Sequence, residues 1–281
     1  MATLKFLTKT KKTIKIGTHY GVFHADEVSA VALLKVFFPS VKFEVTRLPH
    51  QSSEEELSQF DLVIDIGRVL DPEKGRFDHH QYRGGKSSAG LIWSEIKSIL
   101  GVDGNIYPNI DELVSAIDAH DTGEKRSGEF EYSRLISRLK DFDAAVEFAV
   151  QIFESLKAEA EAINEVKNLV ASAEVKEGFI IFPLREGDMD YLPWREVVNG
   201  KTMPEISGVV QYNSKSDQWE ATLAPVHPTS FSFTKGKGFD PSWKEELGLD
   251  FVHANGFFAC AKEKEPVMKL IKRYNESLKE E

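Results

Sequence analysis

Between Thr13 and Gly123 the chain alternates short β-type runs with stretches of helical periodicity. That alternation confines it to an α/β fold with a mainly parallel sheet covered by helices. TIKIGTHY reads as a first strand feeding DEVSAVALLKVFF, whose apolar residues recur at helical spacing until Pro39 ends the run. VKFEVTRL is a second strand, and Ser52 and Ser53, each followed three residues later by glutamate, form capping boxes for a short helix around EEELSQ. DLVIDIG, nearly all apolar, suits a strand buried on both faces. The short KGRF strand and two helices, SSAGLIWSEIKSIL and NIDELVSAIDAHDTG, complete this half.

From Asp141 to Val175 the sequence is rich in Ala, Glu and Lys and free of proline, which predicts one long connecting helix with a solvated charged face. GFIIFPL, EISGVVQYNS and QWEATLAPV follow as strands, then DFVHANGFFACA as one more, and EPVMKLIKRYNESLKE as a closing amphipathic helix. The expected division is therefore a first domain over 1–140, a connecting helix over 141–175 and a smaller mixed α/β domain over 176–281.

A net charge of −10 argues against coating nucleic acid by bulk electrostatics, yet it is compatible with acidic residues gathered around divalent cations. The single cysteine, Cys260, rules out an internal disulfide framework and thiolate-rich zinc sites, and fits a reducing compartment. No apolar run reaches the roughly 20 residues that span a bilayer, so the expectation is a cytoplasmic protein with no membrane partner. The Lys-rich start lacks arginine and merges into a strand, which argues against an organelle address.

Ligands of open α/β sheets collect outside the carboxyl ends of the strands, and the polar residues of this chain fall there. His19, His24 and Asp26 follow the first strand, Asp65 ends DLVIDIG, and Asp78, His79 and His80 follow KGRF. Asp118 and Asp121, three residues apart, share one face at the end of a helix. Oxygen and imidazole donors without thiolate suit manganese, magnesium, iron or zinc, with several carboxylates favouring the harder ions. The set is large enough for two cations, and Asp65 fits a bridging carboxylate between them. Such a site performs phosphoester hydrolysis.

GTHYGVFHADE, DLVIDIG, FDHHQ, SSAGLIW and FVHANGF, in this order, closely resemble the melanocyte-proliferating-gene exonuclease family, an offshoot of the DHH phosphoesterases. The resemblance implies a DHH-type catalytic domain holding two divalent ions, manganese first and magnesium second, and a carboxyl-terminal domain that binds substrate. On this pattern His19, His24 and Asp26 form the first metal motif and Asp65 the bridge. Asp78 and His79 lead the DHH motif, with His79 as ligand and His80 on the substrate phosphate. Asp121 best fits the final aspartate motif, with Asp118 as the alternative. PWREVV and FVHANGF make Arg195 and His253 substrate contacts, and Arg83, just after FDHHQ, is grouped with them. Where related sequences carry a glycine pair, this chain has Ala259 and Cys260, which leaves the length or identity of the substrate open.

The implied activity is removal of nucleoside monophosphates from the 3′ end of RNA or short oligonucleotides. Hydrolysis of a small phosphorylated metabolite or dinucleotide is the alternative enzyme, and a noncatalytic metal-binding regulator the alternative class. A homodimer is left open. His50 and His227, beside prolines, read as ordinary surface residues, Cys260 as a buried small hydrophobe, and the four tryptophans as packing residues rather than base-stacking platforms.

Overall fold

The computed structural model describes residues 13–102, 106–184 and 192–280, so the Lys-rich start lies outside the described residues. In chain order the elements are β1 (Thr13–His19), α1 (Ala25–Phe37), β2 (Lys42–Leu48), α2 (Glu54–Leu57), β3 (Leu62–Ile64), β4 (Leu70–Asp71), β5 (Arg76–Phe77), α3 (Ser88–Leu100), α4 (Pro108–Asp121), α5 (Tyr132–Ile136) and α6 (Phe142–Ser172). They continue as β6 (Glu174–Lys176), β7 (Phe179–Ile181), α7 (Trp194–Val197), β8 (Gly208–Asn213), β9 (Gln218–Leu223), α8 (Trp243–Leu247), β10 (Phe251–Val252), β11 (Phe258–Ala261) and α9 (Lys264–Ser277). The chain divides into two compact units, 1–160 and 161–281, and the division falls inside α6.

The first unit holds a five-stranded sheet in the order β2-β1-β3-β5-β4. β2, β1, β3 and β5 run parallel, while β4 is antiparallel to β5. Alternation in β3 is legible in its burial: Leu62 and Ile64 enter the main core, whereas Val63 joins Leu57 and Ile66 in a second, smaller cluster. Helix α1 buries 11 of its 13 residues. It packs among Ile14 and Ile16 of β1, Ile92 and Ile96 of α3, Ile117 of α4 and Phe153 of α6, all closed to solvent. A helix enclosed on every side would be expected to be wholly apolar, so Asp26 and Glu27 in its first turn, both fully buried, require a specific reason.

The second unit is a six-stranded sheet, β10-β11-β9-β8-β7-β6, in which only β7 and β8 pair in parallel. Val267, Leu270, Ile271 and Tyr274 of α9 cover one part of it. DFVHANGFFACA is not one strand but a hairpin of β10 and β11. Gly256 turns the chain at φ +68°, and a Cβ there would lie 2.5 Å from Phe239 O. Ala259 and Cys260 sit inside β11, opposite Ala221 and Glu220, and are buried. Burial, with the carboxylates of Glu220 and Asp250, pushes the Cys260 thiol up and away from the reactive thiolate. Three tryptophans pack inward: Trp93, Trp194 and Trp243 are each at most 8% exposed. No helix among the described residues is long and apolar enough to cross a membrane.

Candidate metal centre

Because β1, β3 and β5 are parallel, their carboxyl ends share one sheet edge, and the residues that follow them meet there. His19 ends β1, Asp65 follows β3, and Asp78, His79 and His80 follow β5. Asp65 takes a left-handed backbone at φ +59°, uncommon for a residue with a side chain and characteristic of functional turns. Helix α1 starts at the same edge with His24 as its N-cap. Asp26 and Glu27 therefore sit in its first turn, where the helix dipole favours negative charge. Asp121 ends α4, where the dipole disfavours a carboxylate, and a neighbouring cation would relieve it.

Asp65 is the hub. Its Oδ2 lies 3.2 Å from His19 Nε2 and its Oδ1 3.3 Å from His79 Nε2, so one carboxylate faces two imidazoles. His19 Nε2 is also 3.2 Å from Glu27 Oε1, and His79 Nε2 is 2.9 Å from Asp121 Oδ2 and 3.8 Å from Asp26 Oδ2. Three sets of donor atoms converge closely enough to hold a cation: His19, His24, Glu27 and Asp65; Asp65, His79 and His80; and His24, Asp26 and Asp121. Asp65 belongs to two of them. His19 Nδ1 donates to Tyr20 O at 3.2 Å, which leaves the Nε2 lone pair of the neutral ring free for coordination.

Electrostatics gives the test of whether a cation fits. Asp26 Oδ1 and Oδ2, Asp65 Oδ2 and His79 Nε2 are buried without a hydrogen bond of proper geometry. Burial, then the charges of Asp65, Glu27 and Asp121, raise the Asp26 carboxyl well above its ordinary value. Burial also raises Asp65, but contacts with His19 and His79 outweigh it and hold that carboxyl below the usual range. For His19, burial favours the neutral ring, yet Asp65 and Glu27 prevail and push it up to about 10. His79 is likewise pushed up to about 10, burial being overcome by Asp121 and Asp65. So much buried negative charge is stable only when paired with protons or cations, and hard or borderline divalent ions suit this oxygen and imidazole set. Protons and metal therefore compete for the same nitrogens.

The remaining expected residues are placed differently. Asp78 is 1% exposed and fully engaged: Oδ2 accepts from Arg68 N at 2.7 Å, and Oδ1 from His80 N at 2.9 Å and His80 Nδ1 at 2.8 Å. It orients His80 rather than facing the cluster. The His80 side chain is 53% exposed and, with Arg83, His24 and Asp121, lines an open cavity of about 620 Å³. Asp118 is not brought into the cluster, because its Oδ1 accepts from Ser87 N at 2.9 Å and Ser87 Oγ at 2.6 Å at the start of α3. A Cβ on Gly90 would overlap that carboxylate, so the glycine makes room for the cap. Asp118→Ala is expected to lower stability by about 0.5–2 kcal/mol in urea denaturation while metal content stays unchanged. Metal loss without destabilisation would return Asp118 to the ligand set. Arg195 and His253 belong to the second unit, where both line one cleft.

Three contributors lay beyond the sequence reading. Glu27 escaped although its spacing signals it: three residues after His24, its carboxylate caps His24 N at 2.9 Å. His50 stacks on His19, ring centroids 4.7 Å apart. Arg47 of β2 donates from Nε to His19 O at 2.5 Å and from Nη2 to Gly21 O at 3.2 Å, pinning the loop after β1.

Fold and site together define an α/β protein with a carboxylate and imidazole cluster able to hold a metal ion. The family model MYG1_exonuc, described as an uncharacterised protein family (UPF0160), matches residues 15–274. The chain belongs to this family. It is similar to the Saccharomyces cerevisiae MYG1 protein YER156C, 27% identical over 94% of this chain and 96% of that one. It is also similar to the human MYG1 exonuclease, 26% identical over 91% and 84% of the two chains, and to the Chlamydia trachomatis MYG1 protein, 28% identical over 86% of each. Among solved structures it aligns with an exopolyphosphatase-related protein from Bacteroides fragilis at 11% identity, covering 98% and 96% of the chains, with a TM-score of 0.27. That superposition is too loose to bear on function.

Proposed function

We propose that this protein is a metal-dependent phosphodiesterase, acting as a 3′-5′ exonuclease on RNA or short oligonucleotides and releasing nucleoside monophosphates. The observation that carries the reading is Asp65, whose two carboxylate oxygens face His19 and His79 in two adjoining donor sets. Kinship with proteins named MYG1 exonuclease supports it.

His19, His24, Glu27 and Asp65 would hold one divalent cation, and Asp65 and His79 with Asp26 and Asp121 a second, toward which His24 also converges. When bound, such a pair polarises a phosphoryl oxygen and lowers the pKa of water, with manganese or magnesium the ions the donors suit. The chain's own residues do the rest. Asp78 fixes the His80 ring through Nδ1, so Nε2 is the nitrogen left to meet substrate. From the cavity wall, Arg83 offers donors to a phosphodiester, and His80 adds one from Nε2 when its ring carries both protons, stabilising charge that builds on the phosphodiester oxygens during attack. Burial of Asp65 and Asp26 keeps bulk water from screening the charges of these two carboxylates.

The test uses the full chain, manganese and an oligoribonucleotide labelled at its 5′ end. A ladder that shortens stepwise from the 3′ end is the expected result, and immediate release of labelled mononucleotide would reverse the polarity. Cleavage confined to dinucleotides or small phosphoesters would replace the polymer substrate, and metal uptake without turnover on any of them would make the protein a noncatalytic binder.

A further inference from the structure

Phe231 is 99% exposed and belongs to none of the hydrophobic clusters of the second unit. A bare phenyl ring is ordinary on a floppy loop, but this loop is pinned. Val226 N donates to Ser232 O at 2.8 Å, Ser230 N to His227 O at 2.8 Å and Thr234 N to Ala224 O at 2.9 Å, while Pro225 and Phe233 form a β-bridge. The backbone thus holds the ring in a fixed place, with its face open to a planar ligand.

One cleft of about 350 Å³ is lined by Phe231 and Phe233 of this loop, by His253 and Phe257 of the β10–β11 turn and by Arg195. That volume lies at the small end of ligand clefts, roughly 300–1,000 Å³. His253 and Phe257 already form a ring pair, centroids 4.3 Å apart. Asn255 N donates to His253 Nδ1 at 3.1 Å, so the neutral ring carries its proton on Nε2 and presents a donor. The Arg195 guanidinium lies 5.4 Å from the Trp194 ring centroid and forms no ion pair among the described residues. The cleft thus combines flat apolar faces with one neutral donor, His253 Nε2, and one positive charge, Arg195. A planar heteroaromatic base joined to an anionic phosphate matches all three.

We propose that this cleft is a nucleobase-stacking site, in which Phe231 and the His253–Phe257 pair take the base and Arg195 its phosphate. The choice of ligand rests on the exonuclease reading, while the site itself stands on the second unit alone. It makes the protein a reader of bases as well as of phosphodiesters, sequence-tolerant because every base has a π-face.

The probe is 2-aminopurine riboside 5′-monophosphate, whose fluorescence is quenched by ring stacking and which has no phosphodiester to hydrolyse. Full-length protein is expected to quench it saturably, AMP to compete, and ribose 5-phosphate, lacking a base, to compete far less. Phe231→Ala, harmless to the fold because the ring is solvent-exposed, should weaken binding about 5- to 150-fold, the range for losing one stacked aromatic, and Phe231→Tyr should restore it. Equal competition by ribose 5-phosphate, or unchanged quenching in Phe231→Ala, overturns the proposal. So does a Phe231→Ala variant that loses only self-association, which would assign the ring to a protein contact. Oligonucleotide hydrolysis without quenching rejects this site and leaves the exonuclease reading standing; quenching without hydrolysis of any phosphoester does the reverse.

Discussion

Asp65→Asn protein is expected to lose metal and turnover together. The carboxylate sits 3.2 Å from His19 Nε2 on one side and 3.3 Å from His79 Nε2 on the other, so it is common to both donor sets. Asparagine keeps the volume and one carbonyl oxygen but loses the charge and the second anionic donor, leaving nothing to bridge two cations. Removing a residue that only orients a ligand costs about 10- to 100-fold in metal affinity or activity. Loss of a shared ligand should exceed that for both. Elemental analysis of purified variant and wild type, beside turnover on the labelled oligonucleotide, provides the measurement, with thermal denaturation as the check on folding. A variant with unchanged metal stoichiometry and near-normal turnover would remove Asp65 from the centre.

The second large effect divides two adjacent histidines. His79 is 9% exposed, its Nε2 within 4 Å of Asp26, Asp65 and Asp121, whereas His80 reaches into the open cavity with its Nδ1 held by Asp78. His79→Ala should therefore lower metal occupancy. His80→Ala should leave occupancy intact and reduce turnover on the order of 10²-fold or more, the loss typical of deleting one donor to developing charge. The contrast is demanding because His80 Nδ1 lies only 3.4 Å from Asp65 Oδ1, close enough to be drawn into coordination. Full activity in His80→Ala, or metal loss equal to that of His79→Ala, would refute the division of labour. His80→Gln offers a second reading: partial recovery of turnover without change in metal content is expected, since its amide can still donate.

Much of this architecture was legible in local pattern. Helical spacing located α1, α3, α4 and α6, and the apolar run of DLVIDIG reflected a strand whose side chains enter core clusters on both faces. The strand-end positions of His19, Asp65 and His79 followed from the same pattern, because parallel strands carry their loops to one edge. The β10–β11 hairpin was missed although Asn255-Gly256 is a turn signal, since continuous apolar residues on either side mask the break.

What sequence alone determined was which residues could meet at a strand edge: donor types, their order and the buried periodicity around them. The tertiary structure decided which of them do. Asp118 and Asp121 share a helical face, yet Asp118 finds the start of α3 at Ser87 while Asp121 finds His79. Glu27 joined the donor set, and His50 came to stack on His19, only when α1 and the loop after β2 were set beside His19. Periodicity is a property of neighbours along the chain and reports which face is buried. Convergence of ligands depends on which strands and helices pack side by side, and that is settled by contacts between residues far apart in sequence.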